Sequence, residues 1–528
     1  MFKMKLYVKA ALLLLALLMV FTGCDTKSDP PKQTDTEQLQ TGTVDLSHEG
    51  PHIDDDSNTY CDLCGNTVIV YIDLYAINDL HGKFDDTASN EGVDELTTYF
   101  KNAKKTDDHV ILLSSGDMWQ GSSESNLTQG LIITDWMNEL DFAAMTLGNH
   151  EYDWGEELIT LNNDAANFPF IAINIFDRST DERVEYCQAS VVIEKDGLQI
   201  GIIGAMGDCY SSISGDKSGD VYFKVDDELT ELVKAESERL RNEGVDFIVY
   251  SIHDGYGKSL NGSVGDSSIA SYYDIELSEG YIDLVFEGHT HQSYVLIDSQ
   301  GVYHLQNGGD NRGISHAEIA INSVTLSTAV NYAEFVPSSR YTSLDDDPIV
   351  DFLLEKYKDT ISKSNEILGN NDRLRNSEEI KQLVAKLYYE LGESVWGEEY
   401  DIVLGGGFIS VRSPYKLNVG DVKYGDVQSI LPFDNQIVLC SISGRDLKNK
   451  FFETSNDNYY IAYGEYGKSV KNNIDLNKTY YVIADTYSSS YAPNRLTVVA
   501  SYEDGVYARD LLAQYIKDGG FTSQTDNN

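Results

Sequence analysis

Short apolar runs rich in β-branched residues alternate with amphipathic stretches from Val68 to the end of the 528-residue chain. This alternation is typical of strands followed by helices, so it predicts a layered α/β architecture and argues against an all-α or all-β fold. No internal repeat and no low-complexity segment interrupts the pattern. The informative positions come directly after the predicted strands, because five of the runs end in polar residues that can bind a metal.

The five runs cover residues 68–77, 110–113, 142–147, 247–252 and 282–286. The polar residues after them are, in order, Asp79 and His81, Asp117, Asn149 and His150, His253, and His289 and His291. Because α/β sheets gather the carboxyl ends of their strands at one edge, we expect these residues to converge in space. Five of the ten histidines lie in these loops, whereas a random scatter would spread them along the chain.

The candidate metal ligands are two carboxylates, one amide and four imidazoles, namely Asp79, His81, Asp117, Asn149, His253, His289 and His291. Mixed nitrogen and oxygen donors suit Zn, Mn, Fe or Co, whereas Ca prefers oxygen alone. Seven ligands are too many for one ion, so we expect two divalent ions that share one carboxylate. Such pairs lie about 3.5–4 Å apart in enzymes that carry out displacement at phosphorus.

The charge of the chain limits its partners. It has 86 acidic and 39 basic residues, a formal net charge of −47, and lacks a basic block long enough to follow a phosphate backbone. This charge argues against a nucleic acid duplex or an anionic membrane surface as the main partner. At 41% hydrophobic residues the chain has ample material for a packed core, and its six cysteines are too few for a disulfide scaffold.

The N-terminal segment combines basic, apolar and small residues in that order. Lys3 and Lys5 precede an apolar run over residues 10–21, and Thr22 and Gly23 lead into Cys24. This resembles a bacterial lipoprotein signal, and a run of twelve apolar residues is too short to span a bilayer as a mature helix. The resemblance implies a signal peptide over residues 1–24, lipidation of Cys24 and a membrane-anchored protein on the cell surface or the periplasmic face. Simple secretion is the alternative.

Residues 25–66 are acidic and polar, and we expect them to form a solvated tether. Within it, His48, His52, Cys61 and Cys64 have a spacing that could hold a separate structural zinc ion. The alternative is that the two cysteines pair locally or stay free in an exposed tether.

Five motifs occur in the order Asp-x-His, Gly-Asp, Gly-Asn-His-Glu, a single His and Gly-His-x-His. In this order they resemble those of the calcineurin-like metallophosphoesterases. The segments GDMWQG at residues 116–121 and GNHEYDWG at residues 148–155 resemble more narrowly the 5′-nucleotidase and UDP-sugar hydrolase family.

This resemblance implies roles for the candidate site residues. One metal would be held by Asp79, His81 and His291, the other by Asn149, His253 and His289, and Asp117 would bridge them. His150 would face the substrate, and Asp153 would orient its imidazole. The expected mechanism is attack of a bridging hydroxide on phosphorus, without a covalent enzyme intermediate.

The family resemblance also implies the domain organisation. A four-layer α/β/β/α metallophosphoesterase sandwich would cover residues 67–340, a linker helix residues 341–370, and a C-terminal α/β substrate-binding domain residues 371–528. The apolar spacing of Ile349, Phe352, Leu353 and Tyr357 independently favours a connecting helix.

Two C-terminal segments resemble the substrate loops of this family, in which an arginine binds the nucleotide and an aromatic ring stacks on the base. They are the glycine run 405–407 with Arg412, and residues 431–435 around Phe433. The family's second aromatic segment is missing, and Tyr487 or Tyr491 is the candidate replacement. The substrate-binding candidates are therefore Arg375, Gly406, Arg412, Phe433 and Tyr491, with Arg373 as a neighbour of the first.

The expected function is that of an extracellular dimetal phosphohydrolase that removes phosphate from nucleotides, as a 5′-nucleotidase does. UDP-sugar hydrolase, 2′,3′-cyclic-nucleotide phosphodiesterase and 3′-nucleotidase activities on the same site remain open. A non-catalytic, nucleotide-binding surface lipoprotein is the alternative from another class, although such proteins typically lose at least one ligand.

Overall fold

The computed structural model describes residue 60 and residues 68–522, except residues 86–91, 196, 216, 256–274, 453–458, 463–472, 492–495 and 503–504. Cys24 and the candidate zinc ligands His48, His52, Cys61 and Cys64 lie outside the described residues. All that is described belongs to one compact unit, Leu46–Asn528. Within this described part, no helix is both long and apolar enough to cross a membrane.

The first sheet has six strands. β1 (Ile69–Ile77), β2 (Val110–Ser114), β3 (Phe142–Thr146) and β4 (Phe170–Ile171) are parallel neighbours in this order. The hairpin of β13 (Gly313–Asn322) and β14 (Thr328–Pro337) extends the sheet beyond β1, with β13 antiparallel to β1. β2 is buried along its whole length, as expected for a parallel strand that is covered on both faces.

The second sheet also has six strands. β7 (Leu198–Met206), β9 (Phe247–His253), β10 (Leu284–Phe286) and β12 (Tyr303–Asn307) are parallel, and β6 (Ser190–Lys195) and β11 (Ser293–Ile297) are antiparallel edge strands. A separate pair, β5 (Ile175–Asp177) with β8 (Val221–Phe223), is antiparallel. The two large sheets face each other, because Ser251 of β9 accepts a 2.7 Å hydrogen bond from Thr146 of β3.

Helices cover the outer face of each sheet. They are α1 (Asp94–Thr106), α2 (Ser123–Thr128), α3 (Leu131–Glu139), α4 (Glu156–Ala165) and α5 (Asp227–Asn242). Phe100 of α1 and Trp136 of α3 pack in one core with Leu112 of the first sheet, whereas Val233 of α5 packs in another with Ile248 of the second. The predicted four-layer α/β/β/α arrangement is confirmed.

The connecting helix α6 (Pro348–Ile361) is shorter than the predicted span 341–370. It begins at Pro348, and the Asp347 side chain caps it by accepting a 2.9 Å hydrogen bond from the Ile349 amide. A 3₁₀ turn (Ser362–Asn365) follows it, and the predicted helix does not continue because β15 (Ile367–Asn371) pairs with β19 (Gly420–Lys423). Long-range strand pairing thus overrides the local helical spacing.

The C-terminal part is built on a five-stranded sheet with the order β21 (Tyr459–Ala462), β17 (Ile402–Phe408), β22 (Thr479–Asp485), β20 (Ile437–Ser443) and β23 (Thr497–Ser501). The helices are α7 (Ser377–Trp396), α8 (Tyr424–Ile430), α9 (Gly444–Leu447), α10 (Thr486–Tyr491) and α11 (Ala508–Lys517), and the short strands β16 (Arg375–Asn376) and β18 (Lys416–Leu417) pair with each other. Val384 of α7, Val427 of α8 and Leu512 of α11 share a core with Ile483 of this sheet. The predicted α/β class of this part is confirmed.

Candidate metal and substrate site

The loops that carry the seven predicted metal ligands come from both large sheets and meet between their carboxyl edges. The Asp79 amide donates to the Gly116 carbonyl across 2.9 Å, which joins the loops after β1 and β2. Nδ1 of His253 lies 2.6 Å from the Ser115 carbonyl, and the His289 amide donates to Oδ2 of Asp79 across 2.8 Å. These contacts tie the second sheet to the first at the site.

Several of these residues have unusual backbone conformations. Asp79, His81, Asp117, His289 and His291 have φ values of 51°, 50°, 56°, 69° and 53°. The left-handed region is unfavourable for residues other than glycine and persists where the surroundings hold it in place, which is typical of functional sites.

Asp79, His81 and His291 form the first group of ligands. Nε2 of His81 and Nε2 of His291 are 3.1 Å apart, and Oδ1 of Asp79 is 3.2 Å from Nε2 of His291. Nδ1 of His81 is 2.9 Å from the Gln120 carbonyl, so the proton of this ring lies on Nδ1 and the lone pair of Nε2 points towards the other two ligands.

The second group consists of the other candidate ligands, Asp117, Asn149, His253 and His289. Potential ligand atoms of Asp79, Asp117 and His253 lie within 4.8 Å of one another, and so do those of His253, His289 and Cys209. Oδ2 of Asp117 is 3.1 Å from Nε2 of His253, and Oδ1 of Asp117 accepts a 2.8 Å hydrogen bond from the His150 amide. A Cβ atom at Gly148, next to Asn149, would lie 2.3 Å from Oδ1 of Asp117. Glycine is therefore required there for the close approach of the loop.

The donor atoms of both groups fit divalent cations. Oδ1 of Asn149 is buried and has no hydrogen-bond partner among the described residues. The buried Oδ1 of Asp79 and Nε2 of His253 have none there besides the ionic contacts with His291 and Asp117 given above. Buried polar atoms without partners are rare, and all three can donate an electron pair, which a cation would accept.

The pKa shifts of the site residues also indicate that positive charge is needed in the site. Burial alone would raise the pKa of the Asp117 carboxyl, but His253 and His150 outweigh it and hold that pKa well below its usual range. Burial would lower the pKa of His253, yet Asp117 and Asp79 raise it to about 10. Burial, helped by His253, lowers the pKa of His289 to about 4. The buried carboxylates therefore require positive charge, which a cation or a proton on His253 can supply.

Glu151 is a site residue that the sequence reasoning missed. Its buried carboxylate accepts hydrogen bonds from the amides of Gly148 at 2.7 Å, Asp117 at 2.9 Å and Met118 at 2.8 Å. It thus joins the loops after β2 and β3 and places Asp117 beside Asn149. Its place as the last residue of the Gly-Asn-His-Glu motif is the sequence feature that could have indicated this role.

His150 lies in the 3₁₀ turn Asn149–Tyr152 and contacts residues on both sides of the site. Nδ1 is 2.9 Å from Oδ2 of Asp153, and Nε2 is 2.5 Å from Nη2 of Arg412. Burial lowers the pKa of His150, but the carboxylates of Asp153 and Asp117 outweigh it and raise this pKa. The predicted partners His150, Asp153 and Arg412 are thus brought together.

A cavity of about 280 Å³ opens beside these residues and is lined by both halves of the molecule. Asn149, His150 and His289 line it on one side, and Arg412, Phe433 and Tyr487 on the other. The Phe433 ring lies 5.6 Å from the His150 ring and 5.3 Å from the Arg412 guanidinium carbon. The buried Arg509 donates to the carbonyls of Pro432 and Phe433, so it holds the Phe433 loop.

Three of the predicted substrate-binding residues do not belong to the described lining of this cavity. Arg375 is not among the cavity-lining residues; it pairs with Asp372 at 3.0 Å and stacks over Phe521 at 4.1 Å. Gly406 lies within β17 and does not line the cavity, although Phe408 does. Tyr491 ends α10, and its side chain lies outside the described part of the structure.

The sequence profile of the calcineurin-like phosphoesterase family matches residues 72–293, which include every candidate metal ligand. Residues 72–293 are a calcineurin-like phosphoesterase domain. The chain is therefore a metal-dependent phosphoester hydrolase, and the family implies divalent metal ions for which the two ligand groups are the candidates.

The similarity of this phosphoesterase to known proteins extends beyond that domain. It is 25% identical over 414 residues to a 5′-nucleotidase of Vibrio parahaemolyticus, with 70% of each chain covered. It is 26% identical over 406 residues to the endonuclease YhcR of Bacillus subtilis, covering 71% of this chain and 32% of that protein. The fold is similar to that of a 5′-nucleotidase precursor from Thermus thermophilus, with a TM-score of 0.66 and 17% identity. The match covers 85% of this chain and 96% of that one.

Proposed function

We propose that the phosphoesterase removes phosphate from nucleotides, as a 5′-nucleotidase does. The observation that carries this proposal is the approach of Arg412 and Phe433 to His150 at the cavity beside the metal ligands. This arrangement offers a cation for the phosphoryl group and an aromatic face for a base within one cavity. The similarity to a 5′-nucleotidase over both halves of the chain supports the same substrate class.

In the proposed site, Asp79, His81 and His291 would hold one metal ion, Asn149, His253 and His289 would hold the other, and Asp117 would be shared between them. When bound, such ions supply an activated water and neutralise charge on the phosphoryl oxygens, and the mixed ligand set suits Zn, Mn, Fe or Co.

The remaining groups act on the substrate directly or through a neighbouring side chain. Arg412 binds phosphoryl oxygens and then no longer donates to His150. The raised pKa of His150 favours its protonated form, which then donates a hydrogen bond from Nε2 to the phosphoryl or leaving oxygen. Asp153 orients the His150 imidazole through Nδ1. Phe433 stacks on the base, and Tyr487 lines the same cavity. Stacking tolerates different bases, so we expect low base selectivity.

A substrate panel tests this proposal. Hydrolysis of AMP, ADP, UDP-glucose, 2′,3′-cyclic AMP and, as an ester without a base, glycerol phosphate is measured from the products formed before chelation, after chelation and after metal is restored. We expect the highest kcat/KM with a nucleoside monophosphate, loss of turnover on chelation and recovery with a divalent ion. Turnover that ignores the chelator would refute the two-metal site, and preference for a phosphoester without a base would refute the nucleotide assignment.

We also propose that the enzyme acts outside the cytoplasm, anchored through a lipid on Cys24. The basic, apolar and small residues before this cysteine support the proposal. The variant Cys24→Ala, expressed in a bacterial host, should leave the membrane fraction. Retention of that variant in the membrane would contradict lipid anchoring at this position.

A further inference from the structure

Strand β12 supplies none of the candidate metal ligands, yet it carries three buried polar side chains. His304, Gln306 and Asn307 are 1%, 0% and 2% exposed. A buried polar group costs free energy unless it is hydrogen-bonded, so the partners of these three side chains indicate what the strand does.

Gln306 holds the residues on both sides of His291, through the Thr290 side chain and the Gln292 backbone. Its Oε1 accepts hydrogen bonds from Oγ1 of Thr290 at 3.0 Å and from the Gln292 amide at 2.9 Å. Its Nε2 donates to the Tyr294 hydroxyl at 2.9 Å. One amide group therefore fixes the turn in which His291 adopts its left-handed conformation.

His304 holds the beginning of the same loop. Nδ1 of His304 is 3.1 Å from Oε1 of Glu287, and Oε2 of Glu287 accepts a 2.5 Å hydrogen bond from the Tyr294 hydroxyl. Nε2 of His304 is 3.5 Å from Oδ2 of Asp298. Because Glu287 lies two residues before His289, the loop from 287 to 292 is held at both ends by β12.

Asn307 reaches the loop after β1 in the first sheet. It exchanges two hydrogen bonds with Asn78, of 3.0 Å and 3.2 Å, each between one backbone amide and the partner's side-chain oxygen. Nδ2 of Asn78 donates to Oδ2 of Asp79 at 2.5 Å, the same oxygen that accepts from the His289 amide. The strand thus connects to Asp79 as well as to the histidine loop.

We propose that β12 is a positioning element of the metal centre: Gln306 and Asn307 hold Asp79, His289 and His291 in the arrangement that binds cations. This inference rests on the ligand assignment in the proposed function. These hydrogen bonds order the loops before a metal ion binds, so less conformational entropy is lost on binding. Loss of the hydrogen bonds should therefore weaken metal affinity. Groups that orient metal ligands are typically worth about 10–100-fold in affinity or activity.

The test is a titration of the metal-free full chain with Co²⁺, followed by visible absorption, which reports both affinity and ligand geometry. Gln306→Met keeps the side-chain length without the amide, and Thr290→Val removes one hydroxyl at nearly constant shape. We expect both variants to bind at least one Co²⁺ about 10–100-fold more weakly than the wild type, with an altered spectrum. Thr290→Ser keeps the hydroxyl and should restore wild-type binding.

The matched control is His316→Gln in β13 of the first sheet, where Nε2 is 2.6 Å from Oδ1 of Asp73. It likewise removes a side-chain hydrogen bond, but one away from the metal loops, and should leave both Co²⁺ sites unchanged. Wild-type affinity and spectrum in Thr290→Val would overturn the proposal. Because Thr290 is only half-buried, its variant tests the contact even if Gln306→Met does not fold. A wild-type chain that binds no Co²⁺ would refute the ligand assignment itself, which distinguishes the two failures.

Discussion

Nη2 of Arg412 lies 2.5 Å from Nε2 of His150, although the two residues are 262 positions apart in the chain. A guanidinium can only donate hydrogen bonds, so Nε2 of His150 accepts, and the ring proton lies on Nδ1, which faces Asp153 at 2.9 Å. Both groups line the same cavity, beside the candidate metal ligands Asn149 and His289. The contact brings a residue of the C-terminal part into the phosphoesterase site.

Arg412→Ala should lower kcat/KM for AMP by about 10²–10³-fold, because one donor to the charge of the transition state is lost. Arg412→Lys keeps the charge but loses the forked geometry, so it should recover only part of the activity. Steady-state kinetics measures both, and metal analysis of each variant should still find two ions. Loss of metal in Arg412→Ala would contradict a role limited to substrate.

His150→Ala should retain its metal content and lose about 10²–10⁴-fold in kcat, the range for a positioned proton donor or acceptor. Asp153→Asn leaves the imidazole in place without its orienting carboxylate and should lose less. Kinetics combined with elemental analysis separates this role from ligation. Depletion of one ion in His150→Ala would instead make this residue a ligand.

Arg509 should affect substrate binding through the loop of Phe433. Its guanidinium donates to the Pro432 and Phe433 carbonyls at 3.2 and 3.0 Å and pairs with Asp434 at 2.5 Å. Arg509→Met and Phe433→Leu should each raise KM for AMP, by up to about 100-fold, since a stacked base is worth about 1–3 kcal/mol.

A double mutant and a substrate without a base complete this test. Combining Arg509→Met with Phe433→Leu should raise KM little beyond the larger single effect, because both changes act on the same ring. KM for glycerol phosphate should change little in either variant. Equal losses with both substrates would show a general loss of structure instead of a lost stacking surface.

The stability of the protein should fall as the pH rises from about 6.5 to 9. Burial lowers the pKa of His304, but hydrogen bonds to Asp298 and Glu287 outweigh it and raise this pKa to about 9. The folded state thus holds a proton that the unfolded state releases near pH 6.5, and this stabilisation is complete below pH 6.5 and lost through pH 9. Its size is on the order of 3 kcal/mol.

Denaturant unfolding of the metal-loaded protein at a series of pH values measures this dependence. His304→Gln should reduce the fall in the free energy of unfolding between pH 6.5 and 9. An unchanged pH dependence in His304→Gln would assign the effect to other groups.

Much of the site was predictable because the strands and the loops that follow them depend on short stretches of sequence. Each of the five apolar runs corresponds to a strand, and each is followed by the predicted candidate ligands. The helix predicted over residues 341–370 was only partly right, because β15 pairs with β19, which lies about fifty residues further along the chain. Local spacing does not contain that pairing.

By itself the sequence determined the layered fold class and the chemical types of the ligands, since both depend on short-range pattern and residue identity. Only the tertiary structure decided that two facing sheets share the site, that β12 and Glu151 hold its loops, and that Arg412 and Phe433 meet His150. These contacts join residues that are far apart in the chain. Their geometry follows from how the sheets and helices pack, which local pattern does not specify.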